Sequence, residues 1–102
     1  MNHQAIYVAV YIADLATPWA KSLKEKRAIV LPITEKLKSR FPVSVARLSG
    51  LNNHSWERIG VTAISADRVW LEQLLIKVDS FISGQSATLT KSEQSIERWD
   101  IS

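Results

Sequence analysis

Residues Ala5 to Ala13 alternate two apolar rows, with Ile6, Val8, Val10 and Ile12 on one side and Tyr7, Ala9, Tyr11 and Ala13 on the other. β-Branched and aromatic residues at this density predict a strand, and apolar character on both faces predicts one at the centre of a sheet. From Leu23 the period becomes helical: Leu23, Val30, Ile33, Leu37 and Phe41 share one side, with Lys24, Glu25 and Lys38 elsewhere. Pro32 lies inside this stripe and leaves the carbonyl of Ala28 without its N–H partner, so one kinked helix is expected, ended by Pro42. Val43 to Leu48 and Trp56 to Ser65 read as a second and a third strand, joined by the polar connection Ser49 to Ser55. Asp67 is placed to cap a second helix whose stripe is Val69, Leu71, Leu74, Leu75, Val78, Phe81 and Ile82, with Gly84 just past its end. Ala87 to Trp99 alternates loosely and reads as a final, partly exposed strand.

The order β-α-β-β-α-β is that of a ferredoxin-like α+β domain, in which two right-handed crossovers place both helices on one face of a four-stranded antiparallel sheet. Residues 1–102 therefore form a single domain with the first and third strands at its centre. This topology also sorts the loops. Asp14 to Ser22 and Ser49 to Ser55 belong to the same end, which groups Trp19, Lys21, Lys24, Asn52, Asn53, His54, Trp56 and Arg58 despite their distance in sequence.

Composition narrows the function classes. No run of about 18 apolar residues is present, so no membrane-spanning helix is expected. Met1-Asn2-His3-Gln4 lacks the basic stretch that would precede the apolar core of a secretion signal, and Ile6 to Ala13 is read as a strand. The chain has no cysteine, which removes disulfides, thiolate catalysis and cysteine-based zinc sites and suits a cytoplasmic protein. Of the net charge of +3, residues 1–50 hold eight Lys/Arg against three Asp/Glu and residues 51–102 five against seven. The excess of positive charge in the first half permits a basic patch for an acidic partner.

The patch is expected at the start of the first helix. Ser22 followed by Glu25 forms a capping box, yet Lys21, Lys24, Lys26 and Arg27 crowd the same turns, where the helix dipole is already positive. Backbone amides at such a helix start hold phosphate readily, and these cations would add ionic contacts. The alternative is a solvated face, with Lys26 laying its methylenes over the core. Lys21, Ser22, Lys24, Lys26, Arg27 and Arg58 are accordingly the candidate anion or nucleic-acid contacts. Trp19, His54 and Trp56 are candidate stacking or loop contacts beside them, set against the plainer reading of tryptophans that cap the edge of a core.

Taken together, Ser22-Leu23-Lys24-Glu25-Lys26-Arg27, Arg40-Phe41-Pro42-Val43-Ser44-Val45-Ala46, Trp56-Glu57-Arg58 and Asp67-Arg68 resemble the YlxP-like family of small bacterial proteins, a domain of unknown function. The resemblance covers nearly the whole chain. It implies a cytoplasmic bacterial protein of ferredoxin-like fold without an established activity. Members are often encoded beside translation-initiation and ribosome-maturation factors, which implies ribosomal RNA or a ribosomal subunit as the partner. Arg47 departs from the family pattern, in which an acidic residue is common at that place.

The expected function is therefore that of a non-enzymatic RNA- or ribosome-associated accessory factor. The alternative is a protein-interaction or dimerisation module acting through the helix-free sheet face, read as apolar through Tyr7, Tyr11 and Ile64, with a homodimer as the simplest partner. The first strand superficially matches that of RNA-recognition domains, but Arg58 to Ile64 contains none of the aromatics such domains stack on bases. Catalysis finds little support: His3 and His54 are the only histidines, and no multi-histidine metal set or glycine-rich phosphate loop occurs. Acylphosphatases share the topology and hold phosphate with an arginine and loop amides, which leaves Arg58 with Asn52 or Asn53 as the remote enzymatic alternative. No cofactor is expected.

Overall fold

The computed structural model describes residues 3–102; Met1 and Asn2, part of the secretion-signal reading, lie outside them. The elements follow in the order β1 (Gln4–Ala16), α1 (Leu23–Arg40), β2 (Ser44–Ser49), β3 (Trp56–Ser65), α2 (Arg68–Ser83) and β4 (Thr88–Ile101). All strand pairings are antiparallel and the sheet order is β2-β3-β1-β4, so this is the ferredoxin-like α+β fold with β1 and β3 at the centre.

Burial divides the two rows of β1. Ala9, Tyr11, Ala13 and Leu15 are at most 1% exposed, and they meet Ile59 and Val61 of β3, Val30, Ile33 and Leu37 of α1, and Leu71, Leu74, Leu75, Val78 and Ile82 of α2. Each Val, Leu or Ile among them contributes about 1.5–3 kcal/mol when fully buried. The other row, Ile6, Val8, Val10 and Ile12, is half-buried on the open face, where Val8 sits opposite the exposed Ile64.

This corrects the expected composition of the open face. Tyr11 lies beneath the helices, with its hydroxyl donating to Asp79 Oδ1 of α2 at 2.5 Å, and Tyr7 packs on the same side under the guanidinium of Arg68. Ile64 alone of the three is on the open face. Both rows of β1 are apolar, so alternation alone does not say which one the helices cover. Ala9 and Ala13 supply the room there. Val69 also leaves the predicted core stripe: it is 59% exposed, because it precedes Leu71 by two residues and so points away from the row at 71, 74, 75, 78 and 82.

α1 runs unbroken through Pro32. Ser22 is its N-cap, and its hydroxyl accepts from the Glu25 N–H at 3.1 Å. The Glu25 carboxylate reaches back to the N–H of Lys21, one residue before the cap, a displaced form of the expected reciprocal box. Asp67 caps α2 through the N–H of Trp70 at 3.1 Å, and Gly84 closes its other end. No helix of the described residues is long and apolar enough to cross a membrane.

Candidate functional site

The two loops expected at one end do meet there. The N–H of Thr17 donates to the carbonyl of Ser55 at 2.7 Å, and its hydroxyl donates to the carbonyl of His54 at 2.9 Å. Within the second loop, Asn53 Oδ1 accepts from the N–H and the hydroxyl of Ser55, at 2.8 and 2.7 Å. Gly50 turns this loop with φ of 73°. A Cβ there would lie 2.9 Å from the carbonyl oxygen of Trp56 and 3.0 Å from its indole, so the residue must be glycine on both counts.

What fixes the end of the domain is a buried ion cluster. Lys26 is fully buried, one helical turn before Val30 on the core side of α1. Its ammonium donates to the carbonyls of Gly50 and Leu51 at 2.8 and 3.2 Å and reaches that of Trp56 at 3.5 Å, while Glu57 Oε1 lies 3.0 Å away. Glu57, also fully buried, accepts a two-pronged contact from Arg47 of β2 at 2.6 and 2.7 Å. Burial pushes the Glu57 carboxyl up, but the hydrogen bonds from Arg47 and Lys26 outweigh it and hold the group below its ordinary carboxylate range. The hydrogen bond to Glu57 likewise raises the Arg47 guanidinium. The acid that balances Arg47 is thus one strand away, on β3.

Lys26 therefore leaves the candidate anion site. Its charge is consumed inside the domain, where no phosphate reaches it. Two signals in the chain point to the cluster. Lys26 stands in the row 26, 30, 33, 37, and Glu57 alternates with the inward residues Ile59 and Val61.

Arg58 is the next residue and takes the opposite face. Its guanidinium binds Asp14 of β1 with 2.6 and 3.0 Å contacts and lies 5.9 Å from the ring centre of Trp56. The Arg58 hydrogen bond holds the Asp14 carboxyl low, and Asp14 in turn raises Arg58. The pair borders a shallow cavity of about 280 Å³ on the open sheet face, together with Ile12, Leu48, Lys91 and Glu93. Arg58 is therefore paired to Asp14, and no hydrogen bond joins it to Asn52 or Asn53 among the described residues. Trp56 is half-buried against Gly50 and Arg58, which makes it a packing residue of the loop.

What remains exposed at the helix start is Lys21, Ser22, Lys24 and Arg27, with Trp19, 51% exposed, in the preceding loop and His54 exposed in the other. None of the three cations forms an ion pair among the described residues. The same residues contain no group of three or more His, Cys, Asp or Glu placed to hold a metal ion.

Comparison with known proteins agrees with the motifs. A family model described as a protein of unknown function, DUF503, matches residues 8–94. The uncharacterised protein YlxP of Bacillus subtilis (strain 168) is 34% identical over 79 residues, which cover 72% of this chain and 84% of that protein. Among solved structures, the de novo designed protein Foldit4 aligns over 94% of this chain and 97% of its own at a TM-score of 0.46 and 16% identity. By the extent of the family match and the identity to YlxP, the chain belongs to the DUF503 family of unknown function, the YlxP-like family that its motifs resemble.

Proposed function

We propose that the protein is a non-catalytic cytoplasmic accessory factor that binds RNA of ribosomal origin by its phosphate backbone, at the start of α1. The observation that supports this reading is the distribution of unneutralised charge. Lys26, Arg47 and Arg58 each have an acidic partner, whereas Lys21, Lys24 and Arg27 stand exposed and unpaired at the dipole-positive end of a helix. Trp19 adds a ring on which an unpaired base could stack, worth about 1–3 kcal/mol.

Three phosphate contacts to a single strand give a slope of log affinity against log salt of about −2, or roughly a 20-fold loss between 50 and 200 mM salt. Binding to a single-stranded RNA and cosedimentation with ribosomal subunits, each across a salt series, measure this. The double reversal Lys24→Glu, Arg27→Glu is expected to abolish most of the affinity at low salt. Unchanged affinity in that variant would remove the proposal.

One observation favours a second reading, a protein-interaction or dimerisation module acting through the sheet. Across β1, β2 and β3 the open face carries a shallow, mainly apolar groove of about 240 Å³, formed by Val10, Ile12, Ala46 and Leu48 over Gly60. Affinity through that face would persist as salt rises, which separates it from phosphate binding.

A further inference from the structure

The sheet has two unequal edges. β2 contributes only Ser44–Ser49, is preceded by Pro42 and has a register irregularity between Arg47 and Ser49. β4 has 14 residues, contains neither proline nor glycine, and pairs with β1 on one side only. Its single irregularity lies at Asp14/Leu15, where Thr90 falls between the partners of those residues, so the strand is regular from Lys91 onward. β1 and β4 also outrun the rest of the sheet. β3 reaches only Tyr7, whereas the β1–β4 ladder continues to Gln4 and Ile101. A two-stranded ribbon of that kind is marginal in water, and a long bare edge is a template for another strand.

Charged side chains on an edge often serve to keep other chains away. On β4 their signs instead suit a second copy. The register with β1 places Lys91, Glu93, Ser95 and Glu97 on the open face, opposite Asp14, Ile12, Val10 and Val8. Ser92, Gln94 and Ile96 face the helix side, opposite Ala13, Tyr11 and Ala9. Two copies joined edge to edge by a twofold axis perpendicular to the sheet run antiparallel and keep like faces together. An axis at Gln94 then sets Lys91 against Glu97 of the other copy, twice by symmetry, with Glu93 against Ser95 and Ser92 against Ile96.

The neighbouring registers are poorer. An axis at Glu93 brings the two Glu93 carboxylates together, and one at Ser95 sets Glu93 against Glu97 twice. An axis at Ser92 pairs Lys91 with Glu93 but meets the Thr90 irregularity one residue later. An axis at Ile96 pairs no opposite charges. Within one chain, Lys91 forms one ion pair, with the exposed Glu93 at 3.2 Å, and stands across from Asp14, which is already bound to Arg58; Glu97 has no ion-pair partner among the described residues.

We infer that β4 is a homodimerisation edge, on which a second copy of this chain adds its own β4 antiparallel about an axis at Gln94 and so continues the sheet to eight strands. The backbone contact lies on the strand edge, apart from the basic helix start, while its ion pairs form on the open face, where Lys91 and Glu93 also border the cavity beside Asp14 and Arg58. Both Lys91 and Glu97 are exposed; Lys91→Glu also sets a carboxylate across from Asp14 in its own chain, an effect common to that single and the double variant that cancels when the two are compared. Sedimentation equilibrium of the full chain over a range of concentrations is expected to show a monomer–dimer equilibrium. Lys91→Glu alone and Glu97→Lys alone each place two like-charge pairs in the interface and raise the dissociation constant roughly tenfold. The double variant Lys91→Glu, Glu97→Lys restores opposite charges across the axis and returns the constant to near its original value. A monomer at every concentration overturns the proposal, as does a double variant no tighter than the singles. Restoration by Lys91→Glu, Glu93→Lys in its place would overturn the register by moving the axis to Ser92.

Discussion

Glu57 and Arg58 are consecutive on β3, and each takes part in a two-pronged arginine–carboxylate contact of nearly the same geometry, 2.6 and 2.7 Å in one case and 2.6 and 3.0 Å in the other. Strand alternation sends one under the helices and the other onto the open face. The Glu57 carboxylate is fully buried and shared with Lys26, whereas the side chains of Arg58 and Asp14 are 39% and 17% exposed. Contact geometry therefore does not separate a structural ion pair from an accessible one. What separates them is how much water each partner has given up and how many other groups depend on it. Removing Glu57 strands two cations, one of them wholly enclosed, and disturbs the loop from Gly50 to Trp56 that Lys26 ties to α1. Removing Asp14 releases one arginine into solvent.

The largest test of this contrast is Glu57→Gln. It leaves Lys26 buried with uncharged partners alone, the backbone carbonyls and the new amide oxygen, and deprives Arg47 of its counter-charge. Loss of one member of a buried pair costs about 3–5 kcal/mol. Urea unfolding at neutral pH is expected to show that loss as a fall in midpoint with little change in slope. A cost under about 1 kcal/mol, of the size found for surface pairs, would place the two clusters in the same class.

Much of the fold was legible because it is carried by local periods. Two apolar rows in β1 mark a central strand, Ser22 and Asp67 mark helix starts, and the order of elements determines which loops share an end. The assignment of rows to faces was not legible, since Tyr7 and Tyr11 look no more inward than Val8 and Val10 until the register with β3 is known. The site divides in the same way. Exposed Lys24 and Arg27 follow directly from their place on α1, and Lys21 from its place in the loop just before the cap. Lys26 carries the same charge in the same turn, and only its step in the row 26, 30, 33, 37 distinguishes it. That it meets Glu57, and that Glu57 meets Arg47, depends on contacts across the chain that no local pattern encodes.

Acid separates the clusters further. Folding holds both Glu57 and Asp14 below the ordinary carboxylate range, so each binds protons less readily in the folded chain than in the unfolded one. The stability they contribute is complete above the unfolded value of about 4 and is lost as pH falls through the lower folded value, because the unfolded chain takes up protons first. Stability measured by urea unfolding from pH 7 to pH 3 is expected to decline, and Glu57→Gln is expected to flatten the decline more than Asp14→Asn. Equal flattening would mean that the enclosed carboxylate has no larger share of acid sensitivity than the accessible one.

The smallest effect on stability, Asp14→Asn, gives the sharpest reading of the open pair. The variant keeps the size of the side chain and removes its charge, so the Arg58 guanidinium loses its counter-ion while staying beside Trp56. The stability cost is expected to be about 0.5–1 kcal/mol, as for a partly exposed pair. The released cation lies at the same end of the domain as Lys21, Lys24 and Arg27 but on the other face of the sheet. If bound RNA wraps that end, Asp14→Asn is expected to steepen the salt slope of RNA affinity by about 0.7, one added phosphate contact to a single strand. If RNA stays on the helix start, the slope does not change. The value therefore decides whether the two faces that β3 separates at residues 57 and 58 are joined in binding.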